Sequence, residues 1–341
     1  MIRDIVGVPA VLKIENRQIL QRDIKNYIKY FNLTSQINPK TNNLPIVIES
    51  DSRLGFEIEV ENIDPLKEKL PPLWTVIGDM SLRNNGIEFL SLPIPPSQII
   101  TALVIFDSYL RKICKQTPDY SWRTSIHVHC DVQSLTLSQF QFLLKLYLCF
   151  EPIFFYIAAN NRDNSNFCIP LSHSDLVPVL RQLLCPTLQG HQLLSLHTEW
   201  PKYSGLSLFR LAPHPELGLN GYGTVEYRQF PGTDNMISLV TWGNMILSLY
   251  NAAQTLNSET ITSQLLQLNI SSEYEQIFKT ILGKVLPFRP EYLPLFVKGV
   301  TFFKQCQLYP KNSTTVFQAQ YPQTKRAILF TPKRPKPKKD I

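Results

Sequence analysis

Glu57 and Glu59 stand two apart in Phe56-Glu57-Ile58-Glu59-Val60, where apolar residues alternate with carboxylates. That period of two marks a strand, and residues two apart on a strand share a face. The spacing recurs in Ile126-His127-Val128-His129-Cys130 and in Val225-Glu226-Tyr227-Arg228, while Glu88 lies between Ile87 and Phe89. Asp79 and Ser81 sit in the turn-forming Gly78-Asp79-Met80-Ser81, and Arg123 opens the run that contains the two histidines. So many carboxylates do not stay ionised side by side without cations. Carboxylate oxygens with one or two imidazoles suit Mg²⁺ or Mn²⁺. Cysteine is absent from these faces, because Cys130 alternates outward, so a zinc–thiolate site is disfavoured. A carboxylate-bound metal cluster beside an arginine suits phosphate chemistry. The metals bridge phosphoryl oxygens, and the guanidinium binds phosphate in bidentate fashion.

Each pair has a plainer reading beside this one. Glu57 and Glu59 fit the solvated face of an edge strand, and His127 and His129 fit surface or satisfied core positions. Glu226 and Arg228 fit a cross-strand ion pair worth little energy. His173, His191, His197 and His214 lie in loop-like, proline-rich surroundings and read as structural. Trp74, Trp122, Trp200 and Trp242 read as core or rim packing.

Strands and helices must alternate to position these groups. Beyond Phe56–Val60, strands are expected at Leu73–Ile77, Gly86–Leu92, Ser121–Val132, Leu206–Leu211 and Gly223–Phe230. The second and third are close enough to form an antiparallel hairpin. Helices are expected over Gln21–Phe31, from Ser97 as cap to about Lys115, over Leu135–Ala159 with a bend near Pro152, and over Asp175–Leu184. Others follow over Asp234–Gln254, with Asp234 favouring the helix dipole, and over Ser258–Leu268, Glu273–Gly283 and Tyr292–Gln307. Ile5–Ile14 has strand-like pieces; Asn32–Pro45, Asn160–Asn166 and His191–Tyr203 read as irregular. Polar residues at alternate strand positions argue against a parallel sheet buried on both faces. The expected class is α+β: a curved, mainly antiparallel sheet with helices on one face and an open polar concavity on the other.

The chain has 341 residues, 44% of them hydrophobic, enough for a substantial core. Its organisation reads as a lead-in segment 1–50, a catalytic core 51–256, a helical part 257–324 and a basic flexible tail 325–341. Seven basic residues and one acid after Thr324 carry +6 of the formal +7, so the basic balance belongs to the tail. The tail reads as solvated, with nucleic-acid contact the minor alternative. Six scattered cysteines without a CxxC pair read as reduced and mostly buried. No secretory pattern opens the chain, and the apolar run Leu143–Ala159 carries Lys145, Glu151 and Pro152. A core helix and a cytoplasmic setting, without a membrane span, are therefore expected. No GxxxxGK[ST] loop or Rossmann glycine fingerprint is present, which disfavours P-loop ATPases and dinucleotide enzymes.

Four motifs in order resemble the carboxylate–amine ligase superfamily, the amidoligases related to glutamine synthetase, and within it the branch often seen in phages. They are Gly55-Phe56-Glu57-Ile58-Glu59; Asp79-Met80-Ser81-Leu82 followed by Gly86-Ile87-Glu88-Phe89; His127-Val128-His129-Cys130-Asp131; and Thr224-Val225-Glu226-Tyr227-Arg228 with Gly232-Thr233. The resemblance covers about half the chain. It implies a glutamine synthetase-like catalytic domain using ATP with Mg²⁺, or Mn²⁺. Glu57, Glu59, Glu88, His129 and Glu226 would ligate the metals, and Arg228 would hold the γ-phosphoryl group. His127, Asp79, Ser81 and Arg123 would contact nucleotide or substrate, and Lys202, in a further similar segment, the substrate. Met80 and Ser125 stand where the family has glycine, and Ser207 where it often has asparagine. The implied reaction has two steps. A carboxylate attacks the γ-phosphorus of ATP, giving an acyl phosphate; an amine then displaces phosphate and forms an amide. The substrates would be an amino acid, peptide or protein side chain supplying each group. Two other readings of the residues stand beside this one. The same cluster suits a metal-dependent hydrolase, and a ligase scaffold without activity suits a structural or binding protein.

Overall fold

The computed structural model describes residues 1–7, 15–31, 44–64, 66–159 and 162–308. The basic tail and most of the Ile5–Ile14 and Asn32–Pro45 stretches lie outside them. Met1–Gln307 forms one compact unit. At its centre is one open six-stranded sheet: β1 (Leu54–Val60), β2 (Trp74–Gly78), β3 (Ile87–Ser91), β4 (Ser125–Asp131), β5 (Leu206–Ser207) and β6 (Thr224–Pro231). The strand order is β2-β3-β1-β4-β6-β5 and every pairing is antiparallel. The expected α+β class and the β2–β3 hairpin are both present.

Alternation sorts the sheet into two faces. Phe56, Ile58, Phe89, Ile126, Val128, Val225 and Tyr227 are all buried on one of them. Each such side chain contributes about 1.5–3 kcal/mol of burial. Long helices supply the other half of this core. Phe154, on the helix Leu137–Ala158, stacks on Tyr227, and Phe230 stacks on Trp242 of the helix Met236–Thr255. Phe106, on the helix Pro96–Ser108, meets both Trp74 and Phe89.

Leu137–Ala158 is apolar on nearly every side, as a helix enclosed by others must be. It is long and apolar enough to cross a membrane, but 78% of that window is buried within the protein, so it is a core helix. Thr136 and Gln139 close its N-terminus with a reciprocal capping box. Pro152 cannot donate to the Leu148 carbonyl. Gly299, on the helix Tyr292–Leu308, packs there: a Cβ on it would lie 2.1 Å from the Cys149 carbonyl oxygen and 2.9 Å from that of Leu148.

Several boundaries differ from the sequence reading. Ile5 belongs to a short helix, Ile2–Val6, and the N-terminal helix is longer than expected, Glu15–Tyr30. Gly190–Thr198 is helical, not irregular: Gln189 and Gln192 form its capping box, and Leu193, Leu196 and His197 make its buried stripe. Gly190, a poor helix former, hides that start, and its missing side chain admits Ile5. Pro95, not Ser97, is the cap before Pro96. The helix expected from Asp234 starts at Met236 with Asn235 as its cap, and Asp234, just outside it, pairs with Arg111.

Candidate metal centre

The polar sheet face brings the predicted residues together because the registers align them. Glu59 is opposite Glu88, Glu57 opposite His127, and His129 opposite Glu226. His127, His129, Glu59, Glu226 and Arg228 are all buried, and Glu57 is partly so. Ionisable groups this buried require partners, and they have them. Glu57 receives His127 Nδ1 at 3.1 Å and His129 Nε2 at 2.8 Å on its two oxygens. His129 Nδ1 lies 3.0 Å from Thr224 Oγ1, which fixes the ring. Glu59 accepts from the Ser125 N–H and hydroxyl, both at 2.7 Å, and His127 Nε2 lies 3.1 Å from that hydroxyl.

Arg228 owes its place to a register break. β6 has two residues, Arg228 and Gln229, where β4 has only His127. The bulge leaves Glu226 and Arg228 on the polar face and returns Phe230 to the core. Without it, Phe230 would share the face of Arg228 and could not stack on Trp242. Arg162 secures the bulge by donating to the Gln229 carbonyl at 3.0 Å and the Arg228 carbonyl at 3.1 Å. The Arg228 guanidinium pairs with Glu226 and lies 5.8 Å from the Tyr203 ring centroid.

The electrostatics separate the carboxylates. Burial raises Glu57, but the His129 charge and hydrogen bonds from both histidines outweigh it and hold Glu57 well below the ordinary range. Glu88 moves the other way. Burial first, then the charge of Glu57 and a shared hydrogen bond with it, then Glu59 and Asp79, push it up to about 9. Glu88 therefore carries a proton at neutral pH, as one member of a close carboxyl pair does.

Two triads could each hold a cation. Glu57, His129 and Glu226 offer ligand atoms within 4.8 Å of one another, and so do Glu57, Glu88 and His127. Two ligands of one Mg²⁺ stand at most about 4.2 Å apart, each about 2.1 Å from the ion, so modest closing of the side chains completes either set. The donors, oxygen with single imidazoles, fit Mg²⁺ or Mn²⁺. Glu57 belongs to both sets.

The remaining predicted residues lie around this cluster. Asp79 accepts the Ser81 N–H at 2.7 Å, and the Ser81 carbonyl accepts Arg123 Nη1 at 2.9 Å. Asp79 and Ser81 thus build a turn that holds Arg123. Lys202 is exposed, its ammonium 5.6 Å from the Tyr203 ring that Arg228 also approaches, with no hydrogen bond to the cluster. Sequence reasoning passed over Ser125 and Thr224 as site residues. Ser125 shares the β4 face with both histidines, and that parity is the signal that identifies it. Glu61 is buried too, and accepts the Arg83 N–H at 2.8 Å. Of the four tryptophans, Trp74, Trp200 and Trp242 are core, while Trp122 is 68% exposed. No family model matches the chain, and no curated protein does.

Proposed function

We propose that the chain is an ATP- and Mg²⁺-dependent carboxylate–amine ligase that forms an amide or isopeptide bond through an acyl phosphate. The observation that carries this reading is the sharing of Glu57 between two ligand triads, with Arg228 buried beside the second carboxylate, Glu226. A monofunctional carboxylate face has no need of a buried guanidinium, whereas a phosphate-handling one does. Glu57, His129 and Glu226 would hold one ion and Glu57, Glu88 and His127 the other, with Glu59, tied to Ser125, beside them. Bound Mg²⁺ would neutralise charge on the phosphoryl oxygens.

The protein's own residues do the rest. Arg228 exchanges its bond to Glu226 for the γ-phosphoryl oxygens, so the guanidinium is never buried unpaired. Ser125 and Thr224 fix Glu59 and His129 and so keep the ligand atoms in place before the nucleotide arrives. The carboxylate-bearing and amine-bearing substrates, an amino acid, a peptide or a protein side chain, approach near Arg228, where Tyr203 and Phe167 form a partly exposed aromatic pair.

The test is ADP release in the presence of candidate donors. ADP formation that requires both a carboxylate and an amine, and that is lost in Glu57→Gln and strongly reduced in Arg228→Lys, supports the ligase. Hydrolysis of a phosphate or peptide bond without nucleotide would replace it with the metal-dependent hydrolase reading.

A further inference from the structure

Trp122 is the only tryptophan among the described residues left open to solvent, and two guanidiniums lie against it. Arg123 Cζ is 5.0 Å and Arg83 Cζ 5.7 Å from its ring centroid. Both distances fall within cation–π reach. The loop that presents Arg83 passes through two left-handed residues. Asn84 and Asn85 both have positive φ, at 51° and 58°, a conformation asparagine tolerates better than other side chains. A Cβ on the following Gly86 would lie 2.2 Å from that of Leu82.

The Arg123 guanidinium is hydrogen-bonded, the Arg83 guanidinium is exposed over the indole, and neither charge is answered. Arg123 is tied by the Ser81 carbonyl, and its buried Nε has no partner. Neither Arg83 nor Arg123 forms an ion pair among the described residues, unlike Arg111, Arg228 and Arg289. The neighbouring acids are engaged by other donors: Asp79 takes the Ser81 N–H, Glu61 the backbone N–H of Arg83, and Asp119 the Asn62 amide. Two guanidiniums without ion-pair partners, gathered on one indole, form a receptor for an anion.

Position says which anion. Arg123 lies two residues before Ser125, whose N–H and hydroxyl bind Glu59. The backbone N–H of Arg83 is bound by Glu61, two residues beyond Glu59. Arg123 and the Arg83 backbone thus lie at the ends of the strands that carry the carboxylate–histidine cluster. A ligand reaching both places has negative charge along its length. Two cations are too few for a nucleic-acid backbone, which needs a continuous row.

We propose that Arg83, Arg123 and Trp122 form a clamp for an oligophosphate whose far end lies at the carboxylate–histidine cluster, with the indole keeping the guanidiniums aligned. This rests on the phosphate-handling reading above and assigns a second contact region for that ligand.

The probe is inorganic tripolyphosphate with Mg²⁺, titrated into the full chain by calorimetry, with Mn²⁺ alone titrated in parallel. Arg83→Ala, at an exposed position, and the Arg83→Ala/Arg123→Ala pair are expected to weaken tripolyphosphate binding roughly tenfold and a hundredfold, as losing one and two charge-assisted contacts does. Trp122→Ala should weaken it several-fold and Trp122→Phe little, while Mn²⁺ binding stays at the wild-type level in all four. Tripolyphosphate affinity within twofold of wild type in the double variant overturns the clamp and leaves the metal reading standing. So does a wild-type protein that binds Mn²⁺ but not tripolyphosphate. A wild-type protein that binds neither overturns both.

Discussion

Replacing Glu88 with glutamine tests the electrostatics of the cluster in two opposite directions. The folded carboxyl is raised from an ordinary 4.5 to about 9. A group raised in the folded state favours folding fully below its unfolded value and loses that contribution as pH climbs toward the folded value. The loss runs at about 1.4 kcal/mol per pH unit, so by pH 7 it reaches at most about 3 kcal/mol. Solvent at the partly exposed side chain trims this to roughly 2 kcal/mol. Glutamine mimics the protonated form and has no such dependence. With a chelator present, Glu88→Gln should therefore be more stable than wild type at pH 7 by about 2 kcal/mol, a rise of roughly 4 °C in Tm, and nearly equal to it at pH 5. Saturating Mn²⁺ should reverse the order, because binding stabilises only a protein that retains the ligand. Thermal melts at the two pH values, with chelator and with Mn²⁺, give all four comparisons. A solvated edge glutamate would show no pH-dependent difference and no metal response. A Glu88→Gln variant destabilised equally at both pH values would refute the shared-proton account.

Other changes probe the supports. Ser125→Ala removes both a hydroxyl bond to Glu59 and the contact to His127, and should cost about 1–2 kcal/mol in urea denaturation and weaken Mn²⁺ binding. Gly299→Ala places a methyl against the Cys149 carbonyl and should destabilise by about 1–3 kcal/mol without altering metal affinity. Glu151, buried in the helix Leu137–Ala158, accepts from Tyr147, Leu171 and Ser172. Glu151→Ala strands those donors and should cost about 2–4 kcal/mol by chemical denaturation.

The cluster was legible because strand parity is rigid. Once Glu57, Glu59, His127, His129 and Glu226 are placed on strands, the period of two leaves little choice of face, and the antiparallel sheet followed from the same polar alternation. What parity does not carry is register. The extra residue at Arg228-Gln229 leaves only two successive polar residues before Phe230, a break that suits a strand end as well as a bulge. The helix Gly190–Thr198 was hidden for another reason: its N-terminal glycine is justified only by Ile5, a contact about 185 residues away in sequence. Trp122 shows the same limit, since nothing local separates an exposed tryptophan from three buried ones. Asp79 and Ser81 form the turn that their sequence announced, and the partner it holds, Arg123, is more than 40 residues away and not legible locally.

Glu57 is the residue on which both proposed cation sites depend. Titrating Mn²⁺ into the full chain, and following the free ion by electron paramagnetic resonance, counts the sites. Wild type should remove up to two equivalents of Mn²⁺ from solution, and Glu57→Gln, which keeps the shape but not the charge, should remove almost none. A wild-type protein that leaves Mn²⁺ free at millimolar concentration, or a Glu57→Gln variant that binds as much as wild type, would contradict the account.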